Sequence, residues 1–183
     1  GSLATLFREE PVLRTRGVIA LLIFASFNVL WAPLALPLAS PPLSLSHSAI
    51  GLFGLAGLAG ALAAGRAGHL ADRGLAQWTS GISLALMLMA WAPIALLHSS
   101  LWALAIGVIL IDLAIQAVHV TNQSLIFALR PEARSRLVAA YMVFYSIGSA
   151  SGAIASTSGD AAAGWAGVCG LGAAIALLAM LFG

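Results

Sequence analysis

Charge is what this sequence most lacks. Of its 183 residues only 8% are Asp, Glu, Lys or Arg, where a water-soluble domain carries about a quarter. So few charges cannot clothe a soluble exterior, so most of the outer surface must meet lipid. Lysine is missing altogether, because all eight cationic residues are arginines. The single cysteine, Cys169, excludes an internal disulfide. A net charge of +2 is too small to point to nucleic acid. No His or Glu pair stands at the spacing of a metalloenzyme helix, so neither a metal nor a cofactor is expected. Lipid also restricts the backbone, whose polar groups must all be satisfied internally, to helices or a closed barrel. Barrel strands alternate apolar and polar residues over about ten positions. Unbroken apolar runs stand here instead, so the expected fold is an all-α membrane protein.

A bilayer is crossed by about 20 apolar residues in helical form. Six runs qualify, at 17–38, 48–67, 77–97, 101–129, 137–157 and 161–182. Gly1-Ser2 reads as a cloning scar, 3–16 as a cytoplasmic N-terminal segment, and 17–183 as one six-helix transmembrane domain. Ser40-Pro41-Pro42 and Arg130-Pro131-Glu132 interrupt the chain after the first and fourth runs, since proline lacks an N–H and restricts its predecessor.

The arginines set the orientation. Arg8, Arg14 and Arg16 precede the first run, Arg66 and Arg73 follow the second, and Arg130, Arg134 and Arg136 follow the fourth. The other three connectors hold no Lys or Arg. Positive residues stay on the cytoplasmic side, which places both termini there. Trp91, Trp102 and Trp165 then fall near the outer interface and Trp78 near the inner one, as in an aromatic belt.

Polar residues within the runs are few. Asp112 lies eleven residues into the fourth run, about 16 Å deep at ~1.5 Å per residue. Gln116, His119 and Gln123 follow at steps of four, three and four, on one helical stripe, with Asn122 slightly off it. Asn28 sits at similar depth in the first run, with Trp31 one turn on, and Tyr141 and Tyr145 share a face of the fifth. Such groups must face other helices or water. Hydrogen bonds between helices explain the amides well enough. Asp112 favours function, because a carboxyl that only held helices together could be an amide at lower cost. It could carry a proton, with His119 as relay.

Small residues also recur every four positions. Ala56, Gly60, Ala64 and Gly68 form one ridge, and Gly148 and Gly152 another. Such ridges let helix backbones approach closely.

The segment Gly68-His-Leu-Ala-Asp72-Arg73-Gly74 resembles the loop signature G-x-L-a-D-R-x-G-R-[RK] of the major facilitator superfamily (MFS), which joins the second and third helices of each half. The run 130–136, the Tyr141/Tyr145 pair and the Gly148/Gly152 ridge are similar to the C-terminal half of bacterial drug or sugar efflux members. Leu75-Ala76-Gln77 stands where the signature ends in Gly-Arg-Arg/Lys, and six runs stand where the family has about twelve. The resemblance implies a 3+3 inverted-repeat half of a secondary transporter, exporting a small molecule by proton antiport. It implies that Asn28, Trp31, Asp112, Gln116, His119, Asn122, Gln123, Tyr141 and Tyr145 line the substrate and proton path. Gly68, Asp72, Arg73, Arg134 and Arg136 would form the cytoplasmic gate. Its partner would be an N-terminal six-helix half or a second copy, without which the Asp72–Arg73 latch stands unpaired. A half serving only for folding and assembly is a second reading. An intramembrane protease built on Ser151 is disfavoured, since all four histidines precede it.

The orientation predicts the behaviour of fusions. A phosphatase active only outside the cytoplasm should work when fused after Leu43 or Ser99 and fail after Gly74 or Arg134. Activity in the reverse pattern would invert the topology.

Overall fold

The computed structural model describes residues 3–183, the side chains of Leu3, Ala4 and Ala63 excepted, so Gly1-Ser2, expected as a cloning scar, lies outside the described residues. Every regular element among them is helical. Helix α1 (Leu3–Glu9) leads into α2 (Pro11–Trp31), with Pro11 at its first turn, where a missing N–H leaves no bond unmade. Short α3 (Ala35–Ala39) ends at Ser40. Ser46 caps α4 (His47–Ala63) by accepting from the Ala49 N–H at 3.2 Å, and Ser100 caps α7 (Leu101–Phe127) by accepting from Ala103 at 3.2 Å. Between them run α5 (Gly65–Leu70), a π-helical turn at Ala71–Leu75 and α6 (Ala76–Ala95). A 3-10 turn at Pro131–Ala133 opens α8 (Arg134–Phe182).

Four helical stretches are long and apolar enough to cross a membrane: Pro11–Ala39, His47–Ala95, Leu101–Phe127 and Pro131–Phe182. The second and fourth each join two of the expected runs. Neither is straight. Gly74 has φ 82°, and Ala163 and Gly164 leave helical geometry, Gly164 with φ 58° and ψ −145°. Only glycine adopts such angles at little cost. At the second break the chain doubles back, because an added Cβ on Gly167 would overlap the Gly159 carbonyl. The expected loop between the last two runs is therefore helix up to the break. The segment 3–16 is likewise largely helical: α2 begins at Pro11 and carries Arg16 inside the helix.

Close contacts give the helix directions. An added Cβ on Gly148 would strike the Leu21 carbonyl, and one on Gly152 the Ala25 carbonyl. Positions four apart thus meet positions four apart, so α2 and the first part of α8 run parallel. The second part runs opposite to α2, with Gly183 beside Ile19 and the Ser26 hydroxyl donating to the Gly172 carbonyl at 3.4 Å. On α4, Gly57 faces Asp112 and Gly60 faces Ile109 and Leu113, while Gly68 on α5 approaches Val120. The α4–α5 stretch therefore runs parallel to α7, whereas α6 returns antiparallel to it through the 96–100 loop.

The main apolar core joins Ile19, Ile23 and Leu30 of α2 to Leu84, Met87 and Ile94 of α6 and to Leu104 and Ile111 of α7. Trp78 and Trp102 are 74% and 83% exposed at opposite ends of the α6–α7 hairpin, as a belt requires. Trp91 and Trp165 differ from them in exposure. Both are buried, and their indole N–H groups donate to Ser26 Oγ at 3.2 Å and to the Ile94 carbonyl at 3.0 Å. At the arginine-rich end Arg130 pairs with Glu9 at 3.1 Å and Glu10 at 2.6 Å, which ties α1 to the α7–α8 connection. The attraction of Glu10 pushes the Arg130 guanidinium above its usual pKa.

A Gly152→Leu chain should lose about 1–3 kcal/mol from overpacking, whereas Gly54→Ala, with open space at that Cβ, should gain up to ~1 kcal/mol. Denaturant titration of helicity in detergent micelles measures both. Equal stability of the two variants would refute the close α2–α8 contact.

Candidate functional site: polar residues around α7

Helix α7 brings two polar centres into the bundle. Around the first, Asp112 is 5% exposed and accepts a hydrogen bond from Trp31 Nε1 at 3.2 Å. Its other carboxylate oxygen lies against Gly57, where an added Cβ would overlap it, and its Cβ faces Gly60. The carboxyl fits because α4 presents no side chain there. The small-residue face of α4–α5 is thus Gly57, Gly60, Ala64 and Ala67, with Ala56 half-buried beside it, not the strict four-residue row of the sequence reading.

The second centre lies two turns on, about 10 Å along the helix axis. His119 Nδ1 and the Tyr141 hydroxyl are 2.9 Å apart, and their rings stack at 5.5 Å. Asn122 Nδ2 donates to the Tyr141 hydroxyl at 3.5 Å and to the Arg16 carbonyl at 3.3 Å. Arg16 Nη1 donates to Ser80 Oγ at 3.0 Å and to Asn122 Oδ1 at 3.5 Å, and Nη2 donates to Gln77 Oε1. This network ties α2, α6, α7 and α8 together at one level.

Aromatic rings bridge the two centres. Tyr145 lies 4.1 Å from Phe24, Phe24 lies 6.3 Å from Phe27, and Phe27 lies 6.1 Å from Trp31. Phe24 also meets the His119 ring edge-on at 5.0 Å.

The expected path residues therefore separate into groups. Asp112 with Trp31 forms one unit, and His119, Asn122 and Tyr141 form another with Tyr145 alongside. Asp112 and His119 do not touch, so no direct relay joins them. Asn28 donates to the Phe24 carbonyl of its own helix at 3.0 Å, which binds it to its own backbone. Gln116 and Gln123 are half-buried, and their amides have no hydrogen-bond partner among the described residues. They are the polar groups left free to meet something else.

The expected gate residues lie at the arginine-rich end. Asp72 is not unpaired: it accepts from Ser124 Oγ of α7 at 2.9 Å. Gly68 is half-buried, Arg73 and Arg136 are exposed, and Arg134 lies 4.9 Å over the Phe127 ring. No cluster of His, Cys, Asp and Glu among the described residues could hold a metal ion.

Sequence reasoning missed Arg16, Gln77 and Ser80. It placed Arg16 among the loop arginines that fix orientation, yet the side chain is 6% exposed. Pro11 was the available signal. Proline favours the first helical position, and a helix starting there carries Arg16 about 7 Å into its length.

Comparison with known proteins adds one finding. The chain is 47% identical over 181 residues to the uncharacterized transporter YgaY of Escherichia coli, in both strain K12 and O157:H7. The match takes in 99% of this chain and 46% of each relative. The chain thus spans about half the length of the curated relatives it matches. No protein-family model matches it, and no solved structure does.

Replacing Asn122 by Leu removes its bonds to the Arg16 guanidinium, the Arg16 carbonyl and the Tyr141 hydroxyl, and should cost about 2–3 kcal/mol. Gln116→Leu breaks no bond to a described residue and should leave stability within about 0.5 kcal/mol. Thermal unfolding in micelles, compared between the two, tests the division into structural and free amides.

Proposed function

We propose that this chain is one six-helix half of a secondary transporter of the facilitator type, moving a small molecule across the bacterial inner membrane. The carrying observation is Asp112: a buried carboxyl in the middle of an apolar helix, bonded to one indole and seated on two glycines, in a chain whose relatives are named transporters. A carboxyl in that place is expensive unless it is used. The helix directions support a reading of six crossing segments. Parallel contact of α4 with α7 and antiparallel return of α6 imply a reversal near Gly74, and the chain reverses again at Gly164. The stretches His47–Ala95 and Pro131–Phe182 would then each cross twice, which keeps both ends of the chain on the arginine-rich, cytoplasmic side.

Substrate would meet the half-buried face of α7. Gln116 and Gln123 offer free amide donors and acceptors there, and half-buried Tyr145 and Trp31 offer aromatic surface. That lining suits an amphipathic or polyhydroxylated molecule. Asp112 would carry the proton, exchanging it with the path when the opposite wall moves. Rearrangement of α2 against α7 would break or remake its Trp31 bond and so tie the carboxyl to movement of the wall. The second wall would come from another six-helix half.

Reconstitution in proteoliposomes tests this, with the chain alone and together with the remaining part of the YgaY relative. Under an imposed proton gradient, saturable movement of a drug or sugar is expected in the complete assembly and not in the chain alone. Asp112→Asn should remove at least ~90% of gradient-driven accumulation while leaving helicity unchanged. Gradient-driven transport at the original rate in that variant would dismiss Asp112 as the carrier. Transport by the chain alone would point to pairing with a second copy.

A further inference from the structure

Arg16 is buried with no carboxylate to neutralise it. Of the acids at its end of the bundle, Glu9 and Glu10 pair with Arg130, Asp72 accepts from Ser124, and exposed Glu132 makes no ion pair with Arg16. Its three hydrogen bonds go to the neutral oxygens of Ser80, Asn122 and Gln77. A guanidinium has five N–H donors, so Nε–H and the second Nη2 hydrogen have no acceptor among the described residues. Unused guanidinium donors of this kind are what take the oxygens of a phosphate or carboxylate. Leaving such a cation buried and uncompensated is costly.

A cavity of about 360 Å³ adjoins this side chain, lined by Pro11, Val12, Thr15, Ala76, Gln77 and Leu125 with Arg16. Pro11 and Val12 open α2, and Ala76 and Gln77 open α6. Two helix N-termini, each without a side-chain cap, thus border one space, and both carry partial positive charge. Arginine donors, Thr15 hydroxyl and helix ends all favour an anion. Pro11, Val12, Ala76 and Leu125 make the remaining walls apolar, and Val12 and Trp78, the latter next to Gln77 in sequence, are exposed.

We propose that this cavity binds a phosphate group, held by Arg16 between the starts of α2 and α6, and that the phosphate is the phosphodiester of an anionic phospholipid. The apolar walls receive the glycerol and upper acyl carbons while the guanidinium takes the phosphate oxygens. The lipid supplies the counter-charge that the chain withholds.

Lipid titration of the purified chain in neutral detergent, read by native mass spectrometry, tests the assignment. Phosphatidylglycerol should be retained at least ~5-fold more than phosphatidylcholine. Arg16→Gln should remove the preference and Arg16→Lys should keep part of it. Leu125→Trp, which fills the cavity and keeps Arg16, should remove it too, and it decides the matter if Arg16→Gln fails to fold. A second arm adds millimolar inorganic phosphate. Retention of phosphatidylglycerol supports the lipid source, whereas its displacement assigns the same site to a free anion and overturns the lipid half of the proposal. Equal retention of the two lipids by the unaltered chain, or an undiminished preference in Leu125→Trp, would overturn the site itself.

Discussion

The α2–α8 contact depends on two positions that have no side chain. Gly148 and Gly152 allow the carbonyls of Leu21 and Ala25 to lie where a Cβ would otherwise stand. In lipid there is no hydrophobic force to press helices together, since the tails are as apolar as the side chains, so association rests on close fit and polar bonds. Once α2 is fixed on α8, Phe24 is placed against Tyr145 and Arg16 against the level of Tyr141. The polar network and the aromatic bridge follow from that seat. Gly57 and Gly60 do the same for α4 on α7, and they leave the hollow that Asp112 fills.

Polar groups inside this bundle take two forms with different consequences. Asn122, Ser26 and the indoles of Trp91 and Trp165 are buried and bonded, and they hold helices in register. Gln116 and Gln123 stand half-buried with unused hydrogen-bonding capacity. The first kind resists change of shape. The second kind marks where water, a ligand or another protein surface must come. Asp112 combines both, since one indole fixes it while its ability to change charge makes the bond conditional.

Much of this was legible in the sequence, and the reasons for the rest are physical. Long apolar runs declare helices because lipid leaves the backbone few choices. The Gly148/Gly152 spacing declares a close face, and Asp112 stands out by its isolation. Breaks within long helices were harder to read. Neither reversal contains proline, so helical hydrogen bonding continues almost to the break, and Gly74 and Gly164 differ from packing glycines only in their angles. Arg16 was misread because sequence shows a charge but not its neighbours, and its three partners stand 61 to 106 positions away. Trp91 and Trp165 were placed by depth alone, which says nothing about whether an indole faces lipid or a neighbouring helix. The split of the α7 stripe into bonded Asn122 and free Gln116 depended likewise on what α2 and α8 bring to it.

The reversal at Ala163-Gly164 has a further consequence, for biosynthesis. Among the residues 158–166, Asp160 is the only charged one, and helix runs up to the break on both sides. Little polar backbone would have to pass through the hydrocarbon if this tip crossed the bilayer. The two parts of α8 can thus enter as a pre-paired hairpin, held at the tip by the Gly159–Gly167 contact. The hairpin would then dock onto α2 and α6 in a single step.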